Sequence, residues 1–197
     1  MNNAQVTELL YQALETELGG VQVYKTALRC AVNEDLHMEW EKYLSETENH
    51  VRIVTDVFNE LGLDTETETP GRKIVRLKGQ TLVKAMENAL AEGDPVAAQL
   101  VAAESVVEAE TKDHANWELI GRVAEDSTGD KKTVLTEAYN QVEEEEDMHL
   151  FHTMGWAREL WIESLGLPAV LPPPEEEKKV VTAIGASRAE QSRDDML

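Results

Sequence analysis

Two stretches of the chain, Ala13–Tyr24 (ALETELGGVQVY) and Val106–Trp117 (VVEAETKDHANW), carry the same pattern. Each sets one acid, Glu17 or Glu110, seven residues before a large aromatic, Tyr24 or Trp117. In both, apolar residues recur every three or four positions, the period of a helix with one buried face. Working outward, an acid–histidine group follows each stretch: Glu46 and His50 after the first, Glu145, Glu146 and His149 after the second. Trp40 lies six residues before Glu46, and Tyr139 six before Glu145. A duplicated helical hairpin whose halves each offer a carboxylate, then a carboxylate with an imidazole, can build a two-metal site.

Four long helical patterns account for most of the sequence. The first covers residues 4–32 and is followed by Asn33 as turn or cap; the second runs to Leu61 and stops at Gly62. Asp94-Pro95 opens the third, through Ala124, because proline fits the first helical position. After the break DSTGD the fourth runs to Leu165, where Gly166 and Pro168 end it. The short connections inside each pair make antiparallel hairpins, and about thirty residues between the pairs cross the length of the bundle. That crossover holds the basic run RKIVRLKG, with Arg72, Lys73, Arg76 and Lys78, expected to neutralise acidic bundle surface. A short amphipathic segment follows, with Leu82, Val83, Met86 and Leu90. The expected fold is all-α: an antiparallel four-helix bundle over residues 1–167 with a long crossover, then a proline- and charge-rich tail over 168–197. The last stretch, VVTAIGASRAEQSRDDML, is expected as a short helix or a mobile segment.

Composition narrows the function. Against 39 acidic side chains stand 18 basic ones, a net charge of −21 in 197 residues, which argues against nucleic acid and suits a protein that attracts cations. Cys30 is the single cysteine, so there is no intramolecular disulfide and no CxxC zinc or iron–sulfur knuckle. The N-terminus lacks a basic segment followed by an apolar one, and no apolar run is long enough for a membrane span, so the expectation is a soluble, cytoplasmic protein.

The chemistry follows from helical phase. Glu17 shares the stripe of Leu10, Leu14, Val21, Tyr24 and Leu28 and therefore points inward, while Glu15 points out. Glu110 sits likewise among Ala103, Val107 and Trp117. A bare carboxylate in an apolar seam costs several kcal/mol unless it is paired or bound to a metal, and no Lys or Arg shares the stripe. Hairpin geometry gives an independent check. Glu17 lies about seventeen residues before its turn and should meet residues 47–51, where His50 stands with Glu46 beside it. Glu110 lies about eighteen before its turn and should meet Glu145, Glu146 and His149. The same test puts Glu34 and His37 at the far end of the bundle. His114 and His152 flank the site by helical phase, either as packed side chains, the favoured reading, or as hydrogen-bond partners behind it; Tyr24, Trp40, Trp117 and Tyr139 are expected to fill the core and shield the site.

On these residues the chain resembles the ferritin-like superfamily of di-iron carboxylate proteins, in particular rubrerythrin-type domains, over residues 4–166. In that family two helices give one Glu each and the other two give Glu-x-x-His. Glu17 and Glu110 match the single acids and Glu146-x-x-His149 matches one pair, but Thr47 stands three before His50. Either Glu46 reaches the metals in its place, with Glu145 similarly spaced from His149, or one metal position is weakened. The resemblance also offers Asp113 as an extra acid. It implies two iron ions, or manganese, at Glu17, Glu46, His50, Glu110, Glu145, Glu146 and His149. The implied activity is an oxidoreductase acting on peroxide, dioxygen or ferrous iron. With no rubredoxin-like cysteine pairs, electrons would come from an external donor protein, and a small homo-oligomer such as a dimer is expected. Iron storage, and a helical interaction module without metal, are the alternatives.

Overall fold

The computed structural model describes residues 1–169, and among these every element is a helix: α1 (Asn3–Cys30), α2 (Glu34–Leu61), α3 (Pro70–Glu92), α4 (Pro95–Glu125) and α5 (Gly129–Ser164). The tail expected over 168–197 falls, but for its first two residues, outside the described residues. Side-chain caps set the starts. Asn2 accepts from the Ala4 amide at 3.2 Å, Asn33 from Leu36 at 3.0 Å, and Asp94 from Val96 at 3.0 Å with Pro95 next to it. Gly62, at φ 65°, ends α2 in the left-handed conformation that other residues resist.

Helices α1, α2, α5 and α4 form a ring in which each packs on its neighbours, while α3 lies outside it across α1 and α4. The Gln99 side chain, near the start of α4, accepts from the Val32 and Asn33 amides at 2.7 Å each, so α4 begins where α1 ends and the two run antiparallel. The core has two apolar layers. One joins Leu10, Leu14, Phe58, Trp117, Leu135 and Val142; the other joins Tyr24, Trp40, Tyr43, Met86, Ala102 and Leu160. On every helix of the ring the candidate site residues fall between the two layers.

The crossover departs from the sequence reading. It is a single helix of 23 residues rather than a basic run followed by a short segment. Its Leu82, Val83, Met86 and Leu90 do pack on the second layer. Its basic residues explain why Glu15, expected to point to solvent, is buried. Glu15 faces out of the ring but into α3, where Arg72 donates to it at 2.7 Å and Arg76 donates twice, at 2.7 and 2.8 Å. Arg76 also pairs with Glu68 at 2.8 Å. Burial alone would raise the Glu15 carboxyl; the Arg76 and Arg72 guanidiniums outweigh it and hold the group below the ordinary carboxylate range. Among the described residues no helix is long and apolar enough to cross a membrane.

Candidate metal centre

Each ring helix delivers its polar residues to one level because they lie at matching distances on either side of the hairpin turns. From α1 comes Glu17, from α2 His50, from α4 Glu110 and Asp113, and from α5 Glu146 and His149, all buried. His50 Nδ1 lies 3.0 Å from Glu146 Oε1 and 3.8 Å from Glu17 Oε2. His149 Nδ1 lies 3.6 Å from Glu146 Oε1 and 3.7 Å from Glu110 Oε2. The two imidazoles stack with centroids 5.6 Å apart. Two groups of three have ligand atoms all within 4.8 Å of one another: His50, Glu146 and His149, and Glu17, Asp113 and Glu146. Glu146 belongs to both, which is the placement a bridging carboxylate needs.

These side chains are not satisfied by one another. Glu17 Oε2, His50 Nδ1, Glu110 Oε2, Asp113 Oδ1, Glu146 Oε2 and His149 Nδ1 are all buried without a hydrogen-bond partner. Buried polar atoms are almost always paired. Six orphans at one level, all of ligand-forming type, make a donor set that fits divalent cations. Four carboxylates with two neutral imidazoles also balance the charge of two such ions. Without that charge the acids compete for protons. Burial pushes Glu17 and Asp113 well above the usual carboxylate range, with neighbouring carboxylates adding to it. Burial and the Glu146 charge raise Glu110 to about 7. Glu146 resists burial because the His149 and His50 imidazoles lie beside it, holding it at about 2. His149, which burial would lower, is raised to about 10 by Glu146 and Glu46.

Glu46 and Glu145 take a position that spacing along one helix does not reveal. Each crosses to the histidine of the other hairpin: Glu145 Oε2 is 2.7 Å from His50 Nε2, and Glu46 Oε2 is 3.0 Å from His149 Nε2. They therefore face the outer nitrogens, while the inner Nδ1 atoms look into the cluster. Thr47 gives nothing to the centre, because its hydroxyl donates to the Tyr43 carbonyl at 2.9 Å. Its methyl side lies against α1, where a Cβ added at Gly20 would meet it at 3.3 Å. Asp113, on α4, supplies the carboxylate that Thr47 does not.

The aromatics are placed unevenly. Trp117 donates to Glu17 Oε1 at 2.7 Å, and the Tyr24 and Trp40 rings are fully buried. Tyr139 instead packs on Gly121, where an added Cβ would come within 2.6 Å of its ring, and is only half-buried. Sequence reasoning missed Tyr43, whose ring lies 4.3 Å from that of His149. The Tyr43 hydroxyl donates to Glu39 Oε1 at 2.5 Å, and His152 Nδ1 lies 2.9 Å from both groups. His152 thus joins a polar network rather than simply packing. His114 likewise meets Asp147 at 2.7 Å. His37, as expected, is remote and pairs with Glu41.

Comparison with known proteins gives no guide: no family model, curated protein or solved structure matches the chain.

Proposed function

We propose that the chain is a di-metal carboxylate protein of ferritin-like type, using two iron ions, or manganese, for redox chemistry on peroxide, dioxygen or ferrous iron. The observation that carries this is the gathering of six unpartnered ligand atoms at one level, with Glu146 shared by two groups of three. Glu17, His50, Glu110, Asp113, Glu146 and His149 would hold the ions, a hard, oxygen-rich set with two imidazoles that suits iron or manganese. Bound there, the pair of ions would supply two electrons to an O–O bond.

The remaining residues prepare that chemistry. Glu145 and Glu46 hold His50 and His149 in the tautomer that carries hydrogen on Nε2, leaving each Nδ1 free to ligate. Trp117 fixes the Glu17 carboxylate through Oε1 and leaves Oε2 exposed to the cluster. Tyr24, Trp40 and Trp117 exclude water, so charges inside the layer interact more strongly than in solvent. Tyr43, Glu39 and His152 form a hydrogen-bonded network beside the cluster that holds the Tyr43 ring against His149. Electrons would come from a separate donor protein.

Metal analysis of protein purified without added iron tests the reading directly. Two ions of iron or manganese per chain, followed by consumption of about one peroxide per pair in the anaerobically reduced protein, is the expected result. A chain that takes up no transition metal, or that holds reduced metal inert to both peroxide and dioxygen, would refute it.

A further inference from the structure

Beneath α3 lies a cavity of about 560 Å³, a size that holds a small organic ligand. It opens between α1, α3 and α4 and does not include the metal cluster, although Gly20 lies on its wall and also faces Thr47 inside the ring. The walls are mostly apolar, with Val23, Val75, Leu82 and Val107 among them. The space exists because glycines face it: a Cβ added at Gly19 meets nothing within 4 Å. Two lysines stand at its edge, Lys78 from α3 and Lys112 from α4.

These lysines are unusual in a chain of net charge −21. Lys78 has no carboxylate partner among the described residues. Among the described residues Lys112 donates only to the Asn116 side-chain oxygen. Asn116 in turn donates to Thr16 Oγ1 at 2.9 Å, and Thr16 to the Gln12 carbonyl at 2.7 Å, so a buried chain of hydrogen bonds fixes Lys112 on the wall. Lys78 and Lys112 reach the same cavity from the two helices that face each other across it. Of the two acids on the cavity wall, Glu15 is neutralised by Arg72 and Arg76, and Glu108 is exposed at the rim. An anion placed between Lys78 and Lys112 gains both charges, and an apolar chain behind it covers the part-buried Val75, Leu82 and Val107.

The geometry points to a binding site for a single-chain amphipathic anion, a medium-chain carboxylate, with its head between Lys78 and Lys112 and its chain under α3. This site does not rest on the metal reading, and metal-free protein should show it. Titration calorimetry of the full metal-free chain with hexanoate, octanoate and decanoate, below micellar concentrations, tests it. One molecule should bind per chain, each pair of added methylenes tightening binding about fifteenfold until the cavity is full, at about fourfold per methylene. Replacing both lysines, Lys78→Met with Lys112→Met, should weaken decanoate tenfold or more and leave decanol unchanged. Gly19→Leu, which projects into open space, should block decanoate and decanol alike; Thr81→Phe on the α3 wall provides a second block should the first perturb folding. Absence of decanoate binding at millimolar concentration overturns the site. So does equal affinity for decyltrimethylammonium, or binding that survives both blocks.

Discussion

Replacing Glu46 by Ala removes the acid 3.0 Å from His149 Nε2 while leaving the inner nitrogen and every carboxylate around it in place. Acids that orient a metal-bound histidine typically cost 10- to 100-fold in metal affinity when lost, roughly 1.4–2.7 kcal/mol. The Glu46 side chain is 18% exposed, so its bond is partly shielded from water, and Glu46→Ala should fall toward the upper end of that range. Glu145 is 36% exposed, and solvent screening discounts its bond to His50 despite the 2.7 Å separation. Glu145→Ala should therefore cost nearer tenfold. Glu46→Gln keeps an acceptor but not the charge and should lie between wild type and Glu46→Ala. Competition titration against a chromophoric chelator under anaerobic conditions gives the affinities, and elemental analysis at saturating metal gives the stoichiometry. Two ions per chain with weakened affinity is the expected outcome. If saturated Glu46→Ala holds only one ion, Glu46 is a ligand and the division into inner and outer acids is wrong. An affinity equal to wild type would refute the orienting role as well.

Replacing Glu17 and Glu110 together by Ala should abolish binding of both ions at small cost in stability, because the buried anions leave with the cations that offset them; elemental analysis and thermal unfolding check the two halves of that statement. Glu15→Ala leaves Arg72 buried with a side chain 7% exposed and only the Thr65 and Thr67 carbonyls to satisfy it, so about 3 kcal/mol should be lost, or roughly 6–12 °C in Tm, with faster amide exchange in α3. Because the folded Glu15 carboxyl is held below its ordinary value, the stabilisation is complete above the unfolded value and fades as pH falls through the folded one; the wild type and Glu15→Ala should converge in strong acid, and a difference that persists there would contradict the ion-pair account. Light scattering after size-exclusion should show a small oligomer, most simply a dimer, whereas a shell of twelve or twenty-four subunits would favour storage over catalysis.

Much of the architecture was legible because it is local. Asn33, Gly62, Asp94-Pro95 and the apolar period mark the helix ends, and the distance of Glu17 and Glu110 from their turns locates His50, Glu146 and His149. What was not legible depends on a third body or on phase. Glu15 is outward relative to the ring, yet a one-core reading of a helix cannot see that α3 supplies a second surface with arginines on it. The crossover itself reads weakly because Arg72 and Arg76 occupy its buried face, and charge there mimics a solvated segment. Tyr139 matches Trp40 in the text of the repeat but meets Gly121 rather than the cluster. Tyr43 sat unremarked among apolar neighbours, since nothing in its own helix shows that His149 lies beside it. Glu46 and Glu145 were visible as acids four before a histidine, but their partners stand on the opposite helix.

That crossing makes the two hairpins interdependent. Neither hairpin contains both a histidine and the acid that steers it, so half the molecule cannot set up half the centre. The two bonds also run between antiparallel helices, Glu46 to His149 and His50 to Glu145, one turn apart along α2. A slide of α2 against α5 by a single residue, about 1.5 Å, would stretch both bonds together. The pair works as a vernier on helix register, and if the centre holds metal as proposed, its affinity would gauge how well α2 and α5 are aligned, even for changes made far from any ligand.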